Sequence, residues 1–205
     1  MAFDDSGEAG VGTMIIFIAS VLVSAMLAGM FMQVANDFGQ QAERTGNQAI
    51  HDISTGFDIV GVKGDRNVDS NESASSESTI QVITADAQLI SGSAPIALAD
   101  VTIQISDGNN VATLVFNETG TTAADADGTT FVTITVRDSD GSLDNGTITS
   151  GDIVKFVIST DTNATAMDIG PNTTITLDVV PAHGFGSTKK CTAPSVFTKR
   201  YVALS

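Results

Sequence analysis

The sequence predicts an α+β protein in which one long N-terminal helix, first hydrophobic and then amphipathic, precedes an antiparallel β-sandwich of immunoglobulin-like kind. Three observations lead there. An uncharged apolar run opens the chain, a three-and-four spacing of apolar residues continues from it, and beyond residue 56 the apolar residues alternate in twos.

No charged residue lies between Glu8 and Asp37, and the stretch GVGTMIIFIASVLVSAMLAGMF, residues 10–31, exceeds the roughly 20 apolar residues that span a bilayer. A secretory signal starts basic, has a shorter apolar region and ends in small residues at a cleavage site, and membrane anchors keep Lys or Arg on the cytoplasmic side. This run is preceded by Asp4, Asp5 and Glu8, so it fits neither pattern. It reads instead as a segment inserted transiently in lipid and later buried against protein. From Val34 the apolar positions thin to Phe38, Ala42, Thr45, Ala49, Ile53 and Phe57, with Asp37, Gln40, Glu43, Arg44 and Asp52 among those between them, the pattern of one amphipathic stripe. A single helix from about Val11 to about Gly56 would be roughly 70 Å long at 1.5 Å per residue.

Phe57, Ile59 and Val62 then begin a first strand. The polar, Ser-rich and acidic connector KGDRNVDSNESASSES follows, and after it come the strand-like runs TIQVITADAQLI, DVTIQIS, NVATLVF, TTFVTITVRD, GDIVKFVIST, NTTITLDVV and VFTKRYVAL. Val101, Ile103 and Ile105 alternate with polar residues, as do Val132, Ile134 and Val136, and Ile175, Leu177 and Val179, so each set is expected to face a core. The expected organisation is a short leader at 1–7, a core helix at 8–56 and a β domain at 57–205.

Nine basic residues stand against 24 acidic ones, a formal net charge of -15, which repels nucleic acid and anionic lipid and excludes nucleic acid as a partner. Cys191 is the single cysteine, so no intrachain disulfide forms, and it reads as a packed or idle thiol, although Lys189 and Lys190 stand beside it and favour a lowered pKa. His51 and His183 have no ligand or base at catalytic spacing, and the chain is not read as an enzyme. No cofactor is expected. Calcium alone has a candidate set, Asp138, Asp140 and Asp144 around Gly141, but the register is not that of an EF-hand and a solvated acidic turn is the preferred reading. Five N-x-[ST] sequons, at Asn71, Asn117, Asn145, Asn163 and Asn172, all lie in the β half, as for an extracellular glycoprotein domain.

Gly10, Gly12, Thr13, Ile15, Phe17, Ile18 and Ala19 form a G-x-G-T-x-I-x-F-I-A pattern that resembles the start of the mature helix in archaeal flagellins, the archaellins. LISGSAPIALADVTIQIS, ITSGDIVKFVI, NTTITLDVVPAHG and TAPSVFTKRYVALS resemble that family's later strands, so the resemblance covers nearly the whole chain. It implies an extracellular structural subunit of the archaeal flagellum filament, a homopolymer with identical or sister subunits that serves swimming. It also implies cleavage by a prepilin-type signal peptidase between Gly7 and Glu8, and partnership with a membrane-embedded, ATP-driven motor and assembly platform. The leader departs from the family in carrying Asp4, Asp5 and Ser6 where Lys or Arg is usual. Gly10 and Gly12, with Ser20, Ser24 and Ala28 at four-residue steps and Ala25 and Gly29 beside them, would then be the close-packing face of the filament core. Two alternatives stand beside this reading: an adhesive type IV pilus subunit, and a single-span surface protein whose β domain binds a ligand.

Overall fold

The computed structural model describes residues 5–67, 78–160 and 167–205, with helix side chains from residue 10 onward. Helix α1 (Asp5–Ser54) is continuous over 50 residues. It contains no proline, and its hydroxyls bond inside the helix: Thr13 Oγ1 donates to Gly10 O, Ser20 Oγ to Phe17 O and Ser24 Oγ to Ser20 O, at 2.8–2.9 Å. Two compact units result, one ending at Ala49 and the other Ile50–Ser205.

The second unit is built from β1 (Phe57–Asp65), β2 (Val82–Leu89), β3 (Ile96–Ala97), β4 (Thr102–Ser106), β5 (Val111–Phe116), β6 (Thr130–Arg137), β7 (Thr147–Ile148), β8 (Ile153–Ser159), β9 (Thr174–Val180), β10 (Ser187–Thr192) and β11 (Tyr201–Leu204). Nine of these make one sheet in the order β10-β9-β4-β5-β6-β8-β2-β1-β11, and β3 pairs with β7. Every pairing is antiparallel except β5 with β6, which run parallel for two residues, Val115 against Thr130 and Phe116 against Phe131. That short pair joins two antiparallel halves. At the other margin Thr192 and Ser205 exchange backbone hydrogen bonds of 2.7 and 3.3 Å, linking the end of β10 to the end of β11. The expected sandwich is thus one curled, barrel-like sheet whose two halves enclose a common core.

Ile103, Ile105, Leu114, Leu177 and Val179 fill one half of that core and Ile83, Phe131, Phe156 and Ile158 the other, all fully buried. Phe57 and Phe131 both meet Phe156 edge-on at ring separations of 5.7 and 5.5 Å, the arrangement aromatic quadrupoles favour. Strand β11 is tied to β1 by a two-pronged ion pair, Arg200 to Asp65, at 2.8 and 2.9 Å.

Three expectations need correction. In β6 the core residue is Phe131, and Ile134 and Val136 point outward and are exposed. Val132 also lies on the outer face, but it is buried, because the segment after β5 folds across it. Asp125 fixes that segment by accepting from Thr121 N, Thr122 N and Thr122 Oγ1, and a Cβ on Gly120 would stand only 2.6 Å from Val132. Burial by a loop rather than by the core broke the period-two reading. The run 196–204 yields strand only at Tyr201–Leu204, and β10, whose sequence STKKCT carries two lysines, was not foreseen.

Candidate functional site

The largest functional surface is α1 itself. Every large apolar side chain from Val11 to Phe38 is 49–74% exposed, all round the helix. At ~2 kcal/mol for each of the thirteen such residues through Phe31, exposing them to water is unfavourable by roughly 20 kcal/mol or more. The internal hydroxyl bonds matter here, since they leave no unsatisfied donor when Ser20 and Ser24 enter an apolar environment. Gly10, Gly12 and Gly29 have open space where a Cβ would stand, and Ala25 and Ala28 are likewise exposed. Gly7 and Glu8 fall in the first turns of α1.

The helix ends inside the β unit. Ser54, Thr55 and Gly56 are gripped there by two loops: Ser93 Oγ donates to Ser54 O and accepts from Gly56 N, each at 3.2 Å, and Ala94 N donates to Thr55 Oγ1 at 3.3 Å. From the other side Phe185 N donates to Thr55 O at 3.0 Å. Gly184 has a φ of +93°, and a Cβ on it would lie 2.1 Å from Thr55 O; a Cβ on Gly56 would lie 2.7 Å from the Phe185 ring. This joint was not foreseen. Its signals were present as G-S-x-P after β2 and H-G-F-G before β10.

In the acidic loop the structure gathers Asp138, Asp140 and Asp152, with ligand oxygens within 4.8 Å of one another. Asp144 is not of that group. It sits on the 3-10 turn Leu143–Asn145 and lines a shallow groove with Phe116 and Glu118. Asp152, fully buried, accepts from Ser139 N and Oγ, Thr149 N and Oγ1, and Ser142 Oγ, at 2.8–3.1 Å. Burial alone would raise its pKa, but the hydrogen bonds from Ser139, Thr149 and Ser142 together outweigh it and hold the carboxyl well below its usual range. Asp138 accepts from Asp140 N, Gly141 N and Leu143 N, and Asp140 from Ser142 N, while the one proton of Thr149 Oγ1 is shared between Asp152 at 2.8 Å and Asp140 at 3.0 Å. A cation placed here would compete with the bonds that shape the loop.

Asp152→Asn removes the charge and turns one accepting oxygen into an NH2 that faces the N–H of Ser139 or Thr149, so the expected loss is about 3 kcal/mol at neutral pH, from a lost acceptor as well as weakened charge-assisted bonds. Because the folded pKa is depressed, the stabilisation is present above the unfolded value of about 4 and is lost as pH falls toward the folded value. Melting curves of the full chain in detergent should therefore show the gap between wild type and Asp152→Asn narrowing as pH falls from 5 to 2; a constant gap would show that the charge is not the cause.

Asn145 and Asn172 are exposed, Asn172 with a φ of +63°. Asn117 is half-buried, donating to Asp125 O and accepting from Thr119. Asn71 and Asn163 lie outside the described residues. Cys191 is a core residue paired across from Ile175, and burial raises its thiol pKa against a smaller lowering by Lys189. The structure thus agrees with the packed, idle thiol expected of a lone cysteine, since burial outweighs the neighbouring lysine.

These features define a class of protein: a chain with a long, exposed, apolar helix, and a self-contained acidic β unit into which residues 54–56 are bonded. Residues 7–189 match the family model for archaeal-type flagellin, and the chain belongs to that family. Flagellin B4 of Pyrococcus abyssi is 30% identical over 97% of this chain and 98% of its own length. Flagellin A1 of Haloferax volcanii is 30% identical over 88% and 86%. The fold is shared with a crystal structure of an archaeal flagellin from Methanocaldococcus jannaschii, at TM-score 0.63, 22% identity, 73% of this chain and 96% of that one. It is shared too with the archaeal flagellum of Methanospirillum hungatei, at TM-score 0.66, 14% identity, 96% and 99%. The chain is a structural filament subunit of the archaeal flagellum, extracellular in place and not an enzyme. Neither the adhesive pilus subunit nor the single-span binding protein is favoured.

Proposed function

We propose that the chain polymerises through α1, which is held in the membrane until a prepilin-type peptidase cuts between Gly7 and Glu8 and is then buried among equivalent helices of other copies. The observation that carries this reading is the all-round exposure of apolar side chains from Val11 to Phe38 in a helix whose hydroxyls are already satisfied. Transfer from lipid to a helix bundle gains little hydrophobic free energy, so packing at Ser20, Ser24, Ala28 and Gly29 supplies the preference for protein, while water is strongly disfavoured. A membrane motor and platform would then drive assembly and rotation, with the acidic β units outward and glycans at Asn145 and Asn172.

Two measurements test this. Newly made chain should require detergent for release from membranes, whereas sheared filaments should sediment without it; new chain found soluble in buffer before assembly would overturn the membrane step. Mass spectrometry of filaments should place Glu8 first, and a filament starting at Met1 or Ala2 would overturn the cleavage.

In the same reading Asp138, Asp140 and Asp152 form a hydrogen-bonded turn rather than a calcium site. Chelator should leave the melting curve of the full chain unmoved, and a fall restored by calcium but not by equal ionic strength would show the opposite.

A further inference from the structure

We infer that the outer face of β10, β9, β4 and β5 is a contact surface for the β unit of a second copy of this chain. The inference rests on polymerisation through α1. Register fixes what the face presents. Val115, Thr102 and Val180 lie side by side across β5, β4 and β9. One step along are Thr113, Gln104, Asp178 and Thr188, and a further step brings Val111, Ser106, Thr176 and Lys190.

Only Asp178 and Lys190 in these rows are charged, and they cancel. In a chain with 24 acidic and 9 basic residues, this face carries no net charge. Subunits of net charge -15 repel at close range, over a Debye length of about 8–10 Å at ordinary ionic strength. Contact through a neutral face keeps the acids of both copies away from the seam. Val111, Val115 and Val180 are 62, 52 and 49% exposed there, so the face also offers apolar area to bury.

Size selects the occupant. Four strands about 4.8 Å apart and three rows deep cover on the order of 300 Å² of sheet, well short of the ~800 Å² per partner of a stable complex between free proteins. A contact this small forms only where the partner is held at high effective concentration, as neighbouring subunits of a filament are. The face also begins beside the joint, because β9 runs into the loop that carries Gly184 and Phe185 to Thr55 and Gly56. It therefore lies next to residues 55 and 56 of the same unit.

The test is a photo-crosslinking residue placed at Gln104, and separately at Thr113, in full-length chain assembled into filaments, with exposed Ser150 of the acidic loop as the comparison position. Expected is an adduct of two copies, several-fold more abundant from Gln104 or Thr113 than from Ser150, its far end mapping to the β unit of the second copy. No adduct from either position, an adduct with a different protein, or equal yield from Ser150 would overturn the inference. The readout uses filaments that have already assembled, so its failure leaves the role of α1 intact; that role fails instead if bulky residues on the small face of α1 still give filaments.

Discussion

Cells whose only copy of this chain carries Gly29→Leu should make no filaments, although the β unit stays folded. Within one chain the substitution is harmless: nothing lies within 4 Å of the position a Cβ would take on Gly29. It is even favourable, since Leu exceeds Gly in helix propensity by up to about 1 kcal/mol. Any loss must therefore come from contacts between chains. Gly29 follows Ala25 by one turn, on a second strip of small residues about 100° round the helix from Ala28, and at such positions helices gain attraction by close backbone approach. A leucine there pushes a neighbouring helix away, and the lost packing is not replaced, because lipid solvates leucine as well as protein does. Ser24→Leu should act in the same way, while Gly29→Ala should be tolerated or nearly so. Electron microscopy of sheared material, with circular dichroism of the detergent-extracted chain to show the β unit intact, reads the result. Normal numbers of filaments from Gly29→Leu would place the interface elsewhere on α1.

The elements written into local pattern were legible. An apolar run without charge, followed by a three-and-four stripe, pointed to one long helix from about Val11 to about Gly56, and α1 runs Asp5–Ser54. Strands β2, β4, β8 and β9 followed from alternation because their inner faces meet only the core. What failed depended on contacts distant in sequence. Val132 is buried by a loop on the wrong side of the sheet, and β10 owes its place to pairing with β9 although its lysines hide the pattern. In the acidic loop, Asp138 and Asp140 were chosen correctly as neighbours, but the third carboxylate comes from Asp152 across the turn. Sequence proximity had pointed to Asp144. Asp152 was missed because an acid directly before a strand looks like a solvated turn residue, whereas this one is fully buried and organises three hydroxyl residues.

Gly184→Ala should be the most damaging single-methyl change in the β unit, lowering its stability by roughly 3–4 kcal/mol. At φ +93° an L residue is strained by about 1–2 kcal/mol. The larger effect is collision, since the new Cβ would lie 2.1 Å from Thr55 O and 2.7 Å from Thr55 C, both backbone atoms that cannot swing aside. Relief requires the 183–185 segment to withdraw, which breaks the bond from Phe185 N to Thr55 O and leaves the buried Thr55 carbonyl unsatisfied, at about 1–3 kcal/mol. Gly108→Ala is the matched comparison. Gly108 has a φ of +90°, but nothing lies near its Cβ position, so it reports backbone strain alone. For a unit of this size each kcal/mol moves the melting temperature by about 2–4 °C, which predicts a fall near 10 °C for Gly184→Ala and only a few degrees for Gly108→Ala. Thermal unfolding of the full chain in detergent, followed by circular dichroism, measures both. Equal shifts would mean that strain is the whole effect and that the joint yields. A larger shift for Gly184→Ala means that the backbone of residues 54–56 is held in place by the 183–185 segment through the bond from Phe185 N to Thr55 O.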